Sequence, residues 1–323
     1  MAKHIDVLLL TALPASGKSE ARRYLAELSP EECETQFGIG HTVQLDDYPY
    51  VHMMRRTSEE LRAQGQDPAF FDSDNLPMKN PLDWGTLIEL LNEDYEDLVA
   101  KNRPAPSCAV TWLMERFDAA RTKVGAPKFW ADLSDTHRAP LIEALGPESK
   151  KLLDDKVAEV PDSLEGKTVV VEFARGGSQG SDMPLNDPFG YQYSFRTLSK
   201  AMLEKSCILY IWVSPEESRR KNDARTDPND PGSILNHGVP IEVMLGDYGC
   251  DDMEHLLATA EKANTVTVSA HGETYHLPLG RFDNRVDRTT FIRGAADQWS
   301  ADDVSKLKSG MREAFDQIFS QIK

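Results

Sequence analysis

Gly17, Lys18 and Ser19 stand in a row: a backbone position without a side chain, a long cation and a hydroxyl. Those three types serve one chemistry. Around a polyphosphate, successive backbone N–H groups and a helix N-terminus converge on one anion, a lysine reaches the β- and γ-phosphates, and a hydroxyl binds magnesium. The stretch Ala12-Leu13-Pro14-Ala15-Ser16-Gly17-Lys18-Ser19 has the length of such a loop, with Ala12 in place of its opening glycine. Alanine serves there if its φ stays negative. Ala15, Ser16, Gly17, Lys18, Ser19 and Glu20 are therefore expected nucleotide contacts.

Acids follow at spacings that suit phosphoryl transfer. Asp46 and Asp47 close "HTVQLDD"; at the carboxyl end of a strand, where open α/β sheets hold ligands, a carboxylate accepts the proton of an attacking hydroxyl or orients magnesium. The plain alternative is that the pair caps the next helix. Tyr48, next in line, is an expected substrate contact. Glu172 ends the apolar run of "TVVVEFARGG" and is expected to hold magnesium or its water shell near Ser19. Arg175 either grips substrate with a two-pronged guanidinium or forms an ordinary surface ion pair.

The cations gather in "SPEESRRKNDARTDPNDPG", with Arg219, Arg220, Lys221 and Arg225. Arg219 and Arg220 cannot share a helix face, but one or two of the set could converge on phosphate, with the Thr226–Gly232 tail letting the segment close as a lid. The alternative is a solvated helix whose arginines pair with the intervening acids. Asn284, in "RFDNRVD", either approaches an adenine or sits in a turn. The acids of "GDYGCDDMEH" have one histidine and no second partner at ligand spacing, and so suggest no metal site.

These residues need a frame. Ile5–Leu13, His41–Asp47, Lys167–Phe173 and Cys207–Val213 read as buried strands, and a fifth strand or a hairpin lies within Thr265–Phe282. A helix begins near Gly17. Between the second and third strands, Ser58–Gln64, Trp84–Lys101, Cys108–Lys123 and Ala139–Val157 have helical apolar spacing. A last helix carries Val304, Leu307, Met311, Phe315, Ile318 and Ile322, with Ser300 as its cap. Strands separated by helices predict a parallel α/β sheet. The chain reads as one domain: a core of 1–50, 166–213 and 263–323, a helical acceptor-side insertion of 51–165, and a lid region of 214–262.

Composition narrows the partners. With 36 basic against 53 acidic residues, a net charge of −17 repels nucleic acid. No run of eighteen apolar residues is present, so no membrane span is expected. Four scattered cysteines form no CxxC pair and suit a reducing, cytoplasmic setting. The sequence also allows a homodimer.

Taken together, "ALPASGKS", "LDDYPY", "VVVEFARGG", the stretch "DNLPMKNPLDWGTLIELLNEDYEDL" and the arginines after "CILYIWV" resemble the P-loop small-molecule kinases, most closely the uridine kinase and phosphoribulokinase group. The resemblance implies a kinase-type P-loop NTPase fold, ATP and Mg2+ as cofactors, and a small-molecule hydroxyl as acceptor. By position it makes Lys18 and Ser19 the phosphate and magnesium ligands, Asp46 or Asp47 the acceptor-binding base, and Glu172 the acid that follows the third strand. Arg219, Arg220 or Arg225 become lid cations. Ala12 and the long helical insertion depart from the group's pattern. The expected activity is transfer of the γ-phosphate to a nucleoside, sugar or related metabolite. Two alternatives are a toxin-type kinase of nucleotide sugars and a nucleotide-binding switch; for a GTPase, the guanine-specifying Asn-Lys-x-Asp is missing, since "RKND" at Arg220–Asp223 has the wrong order.

Overall fold

Val7–Thr11 alternates between two apolar surfaces: Val7 and Leu9 enter one buried cluster, Leu8 and Leu10 another. A strand covered on both faces belongs at the centre of a parallel sheet. In the computed structural model, which describes residues 4–225 and 238–322, this strand, β1, has that position. The others are β2 (His41–Asp46), β3 (Lys167–Phe173), β4 (Ser206–Trp212), β5 (Thr265–Ala270) and β6 (Glu273–Asp283). Their order across the sheet is β2-β3-β1-β4-β6-β5. All neighbours are parallel except β5 and β6, which pair as an antiparallel hairpin. Its turn uses His271 and Gly272, with φ of 52° and 75°, the left-handed pair that a two-residue hairpin turn requires.

The described helices, in chain order, are α1 (Lys18–Glu27), α2 (Pro30–Phe37), α3 (Tyr48–Ala63), α4 (Asp83–Ala100), α5 (Ala109–Lys123), α6 (Asp135–Glu159), α7 (Gly190–Thr197), α8 (Lys200–Leu203), α9 (Pro215–Arg225), α10 (Ile241–Gly246), α11 (Met253–Ala258) and α12 (Ala301–Phe319). Helices α1, α2 and α12 cover one face of the sheet through Tyr24, Phe37, Met311 and Phe315. Helices α4, α7 and α11 cover the other through Ile88, Tyr95, Phe195 and Met253. The opposite side of α4, with Trp84, Leu87 and Leu90, packs with α3, α5 and α6 in a third cluster. One helix thus joins the sheet to the helical layer.

Helix α3 starts ten residues before its expected apolar periodicity. The Asp46 carboxylate accepts the Tyr48 N–H at 2.8 Å and Pro49 lies in the first turn, both of which favour a helix start. Asp46 therefore does cap the helix, and its role in the cleft below is additional. Ser300 caps α12 as expected, accepting from the Asp303 N–H. Among the described residues no helix is long and apolar enough to cross a membrane, and all four cysteines are free.

Strand β1 leads away to β2, beyond β3 on one side, while the chain after β3 crosses to β4 on the other. The carboxyl ends of β1 and β3 are therefore where the connections diverge and leave a crevice.

Candidate functional site

The loop between β1 and α1 is held from below. Ala12 is fully buried and keeps a φ outside the left-handed region, so the sequence condition for alanine at that position is met. Its carbonyl accepts from Lys18 Nζ at 3.3 Å and from the Tyr191 hydroxyl at 3.0 Å. Ala15 has φ of 58°, a left-handed conformation that is uncommon for a residue with a Cβ and accumulates at ligand-binding turns. Ser16 Oγ donates to the Leu13 carbonyl, and Ser218 Oγ donates to that of Pro14 at 2.7 Å.

Asn284 lies beneath this loop. It is fully buried, and its amide donates to the Ser16 carbonyl at 2.8 Å and to Thr289 Oγ1 at 2.9 Å. Its contacts are with the loop and Thr289, and it does not line the cleft described below. Gly17, with φ of 106°, rests on the same pair: a Cβ there would fall 2.5 Å from Thr289 Oγ1 and 2.9 Å from Asn284 Nδ2. Gly17→Ala is expected to lower stability by about 1–3 kcal/mol through that strain, read as a fall in melting temperature, and to weaken nucleotide binding further than the fall in stability accounts for. Glu20 turns away from the cleft and pairs with Arg293 at 2.7 Å.

In front of the loop opens a cleft of about 510 Å³, lined by Ser19, Lys18, Arg22, Asp46, Asp47 and Glu172, among others. Asp46 and Glu172 are register partners at the ends of β2 and β3. Between them lies Arg22, with Nη1 2.5 Å from Glu172 Oε2 and 3.8 Å from Asp46 Oδ2. Arg22 falls one helical turn after Lys18, beyond the end of the motif, which does not announce it. Asp46 keeps 31% of its side chain open, while enclosure in the cleft and the nearby charges of Glu172 and Asp47 push its pKa up to about 7, against the Tyr48 N–H and Arg22.

That shift has a sign. A carboxyl whose folded pKa lies above its unfolded value costs stability once pH exceeds the unfolded value, and the cost is complete above the folded one. In metal-free protein, Asp46→Asn is expected to leave the melting temperature unchanged near pH 4 and to raise it progressively toward pH 8, by an amount equivalent to about 1–2 kcal/mol after allowance for the open third of the side chain. Melting curves across that range check it.

Asp47 is nearly closed off, at 6% exposure. Burial raises its pKa, opposed first by Arg175 and then by Lys18. Arg175 Nη1 donates to Asp47 Oδ2 at 2.6 Å, and the guanidinium packs near the rings of Trp84 and Phe173 at 5.1 and 5.3 Å. At 1% exposure Arg175 is no surface ion pair. It orients Asp47 from behind the cleft wall.

The opposite wall is one face of α3. Tyr48, Val51, His52, Arg55, Arg56 and Glu59 all line the cleft, at steps of three and one, the spacing of a single helix face. Tyr248, Asn222 and Val239 close the rim. Arg219 and Arg220 do not line it; they pair with Glu216 at 3.3 Å and Glu217 at 2.6 Å, the acid pairing of the alternative reading, but the helix is not simply solvated, since Ser218 and Asn222 are buried. Lys221 is buried 2.9 Å from Asp287. The side chain of Arg225 and the Thr226–Gly232 tail lie outside the described residues.

Among the described residues no group of three or more histidine, cysteine or carboxylate side chains is arranged to hold a metal by itself. Ser19, Asp46 and Glu172 supply hard oxygen donors on one cleft, which suits magnesium bound jointly with substrate phosphates and water. No protein-family model matches this chain, and no curated protein matches it.

Proposed function

We propose that the chain is a P-loop kinase that transfers the γ-phosphate of ATP to a hydroxyl of a small molecule held between the loop and α3. One observation carries this reading: the ends of three adjacent parallel strands, β1, β2 and β3, bring Lys18 and Ser19, Asp46 and Asp47, and Glu172 onto a single cleft. Phosphoryl transfer requires little covalent chemistry from a protein, so positioning and charge neutralisation at such a junction are what it has to supply.

In this reading Lys18 leaves the Ala12 carbonyl for the β- and γ-phosphates. Ser19, Asp46 and Glu172 would hold magnesium, which when bound would supply charge neutralisation on the phosphates. Arg22, already between the two acids, remains as a second cation for phosphate oxygens. Asp47, fixed by Arg175, accepts the proton of the attacking hydroxyl. Its raised pKa makes it a better base than an exposed carboxylate. The cleft has room for both a triphosphate tail and a small acceptor.

MgATP turnover, measured alone and with a panel of nucleosides, sugars, sugar phosphates and sugar acids, tests the proposal. Turnover that depends on one acceptor class and yields its phosphate ester supports it. Turnover at one rate whatever is added favours a nucleotide switch, and MgATP binding unaffected by Lys18→Ala would remove the loop from the argument.

A further inference from the structure

On the wall opposite the loop, three groups of α3 can carry positive charge: His52, Arg55 and Arg56. Two have acids to match. Arg56 is ion-paired with Glu59, Glu60 and Glu148, and His52 with Glu148. Arg55 differs. Its guanidinium lies 3.9 Å from the centre of the Phe71 ring, and Nη1 donates to the backbone carbonyl of Asp74 at 2.8 Å. Among the described residues no carboxylate stands at ion-pair distance from it. Burial disfavours its charge, opposed by the more distant Tyr248, Asp74, Asp247 and Tyr48. In a chain of net charge −17, a stacked guanidinium on a ligand-sized cleft with no paired acid is unusual. With one face on an aromatic ring and one N–H on a carbonyl, the rest of its planar fork is available for a two-oxygen anion.

Its place in the cleft sets the size of what it would hold. Arg55 lies eight residues beyond Asp47, about 12 Å along the helix axis, and long helical side chains lean back toward the N-terminus, which shortens the gap. Tyr248 lines the same cleft. The span is that of one small sugar or hydroxy acid.

We propose that Arg55 is the anion-recognising residue of the acceptor subsite, so that the acceptor is a small hydroxylated molecule bearing a carboxylate or phosphate group, its hydroxyl toward Asp47 and its anionic end on Arg55. This rests on the kinase reading for the identity of the cleft, but it goes further in naming the acceptor's charge. A neutral nucleoside or sugar leaves the half-buried guanidinium without an anion in contact.

The first test compares MgATP turnover with ribose, ribose 5-phosphate, glucose and gluconate on wild type, Arg55→Lys and Arg55→Ala. The phosphate or the acid is expected to be preferred over its neutral parent. Arg55→Ala should raise the KM of that acceptor about ten- to hundredfold, the range of a charge-assisted hydrogen bond, with the KM for ATP unchanged; Arg55→Lys should recover only part, since it keeps the charge and loses the fork. Neutral acceptors used as well as charged ones would overturn the inference and leave the kinase reading standing. The second test needs no turnover. Inorganic phosphate and acetate are titrated by calorimetry into Lys18→Ala, which removes the loop's own cation, and into Lys18→Ala/Arg55→Ala. Binding in the first that is lost in the second supports the subsite, even if no acceptor stimulates ATP turnover and the kinase reading falls. Which ion binds tells phosphate from carboxylate. The absence of ion binding in Lys18→Ala, or binding equal in both variants, overturns it.

Discussion

Lys18→Ala should reduce acceptor-dependent ATP turnover by about 10³-fold, the order of effect for one preorganised donor to developing charge in a closed site, while the circular dichroism and the melting transition remain those of a folded chain. The lysine is almost closed off from water, and its ammonium reaches a backbone carbonyl of its own loop. A cation in that position has little packing to lose and a large electrostatic task to perform. Its loss also removes one of the two positive charges that oppose the raised pKa of Asp47. The variant should therefore show a residual rate whose pH dependence is displaced upward. Turnover within a few-fold of wild type would show that the loop does not handle the transferred phosphate.

The second large effect belongs to the Asp47 and Arg175 pair. Asp47→Asn is expected to lower acceptor-dependent turnover by about 10²–10⁴-fold, the range of a lost general base. Arg175→Met should cost about 3–5 kcal/mol of stability, because removing one partner of a buried pair leaves the other charge uncompensated. The double variant Asp47→Asn/Arg175→Met should melt well above Arg175→Met alone, since the residues touch and their effects are not additive. Chemical denaturation of the four proteins in the cycle gives the coupling directly. A coupling near zero would show that Arg175 packs against Trp84 and Phe173 without acting on Asp47. An Asp47→Asn enzyme at full rate would move the base to Asp46.

Much of this frame was legible in the residues. Four of the five parallel strands, β1 to β4, lie within about two residues of where their apolar runs place them, because a strand buried on both faces leaves a continuous signature. The turn from β1 into α1 was legible for a different reason: Gly17, Lys18 and Ser19 are residue types that a phosphate cradle asks for at consecutive positions, after a strand and at the start of a helix. What escaped the reading has no such concentrated signal. Helix α2 is announced by its ends alone, the Ser29–Glu32 capping box, Pro30 in the first turn and Gly38 at the C-cap, and its eight residues are too few for a clear apolar period. Helix α3 buries Tyr50, Met53, Met54 and Leu61 at helical spacing, so its first turns do carry the period; it was recognised only from Ser58 because His52, Arg55 and Arg56, which line the cleft, interrupt the apolar residues. Arg22 and Arg55 depend on which side of a helix meets the cleft, and that is decided by tertiary packing. Asn284 is the converse case: its sequence neighbours suggest a turn, and only the loop folding over it explains why an amide is buried there.

Helix α4 has a consequence for how this architecture can change. Its one side is anchored on the sheet and its other on the layer that carries α3, so the helical layer is not a detachable cassette. Exchanging α5 and α6 would reshape the α3 wall of the cleft from behind while the loop and strand ends stay in place, whereas loss of α4 would unseat both together. On the proposed kinase reading, new acceptors would be reached by repacking the outer helices while the strand ends stay as they are.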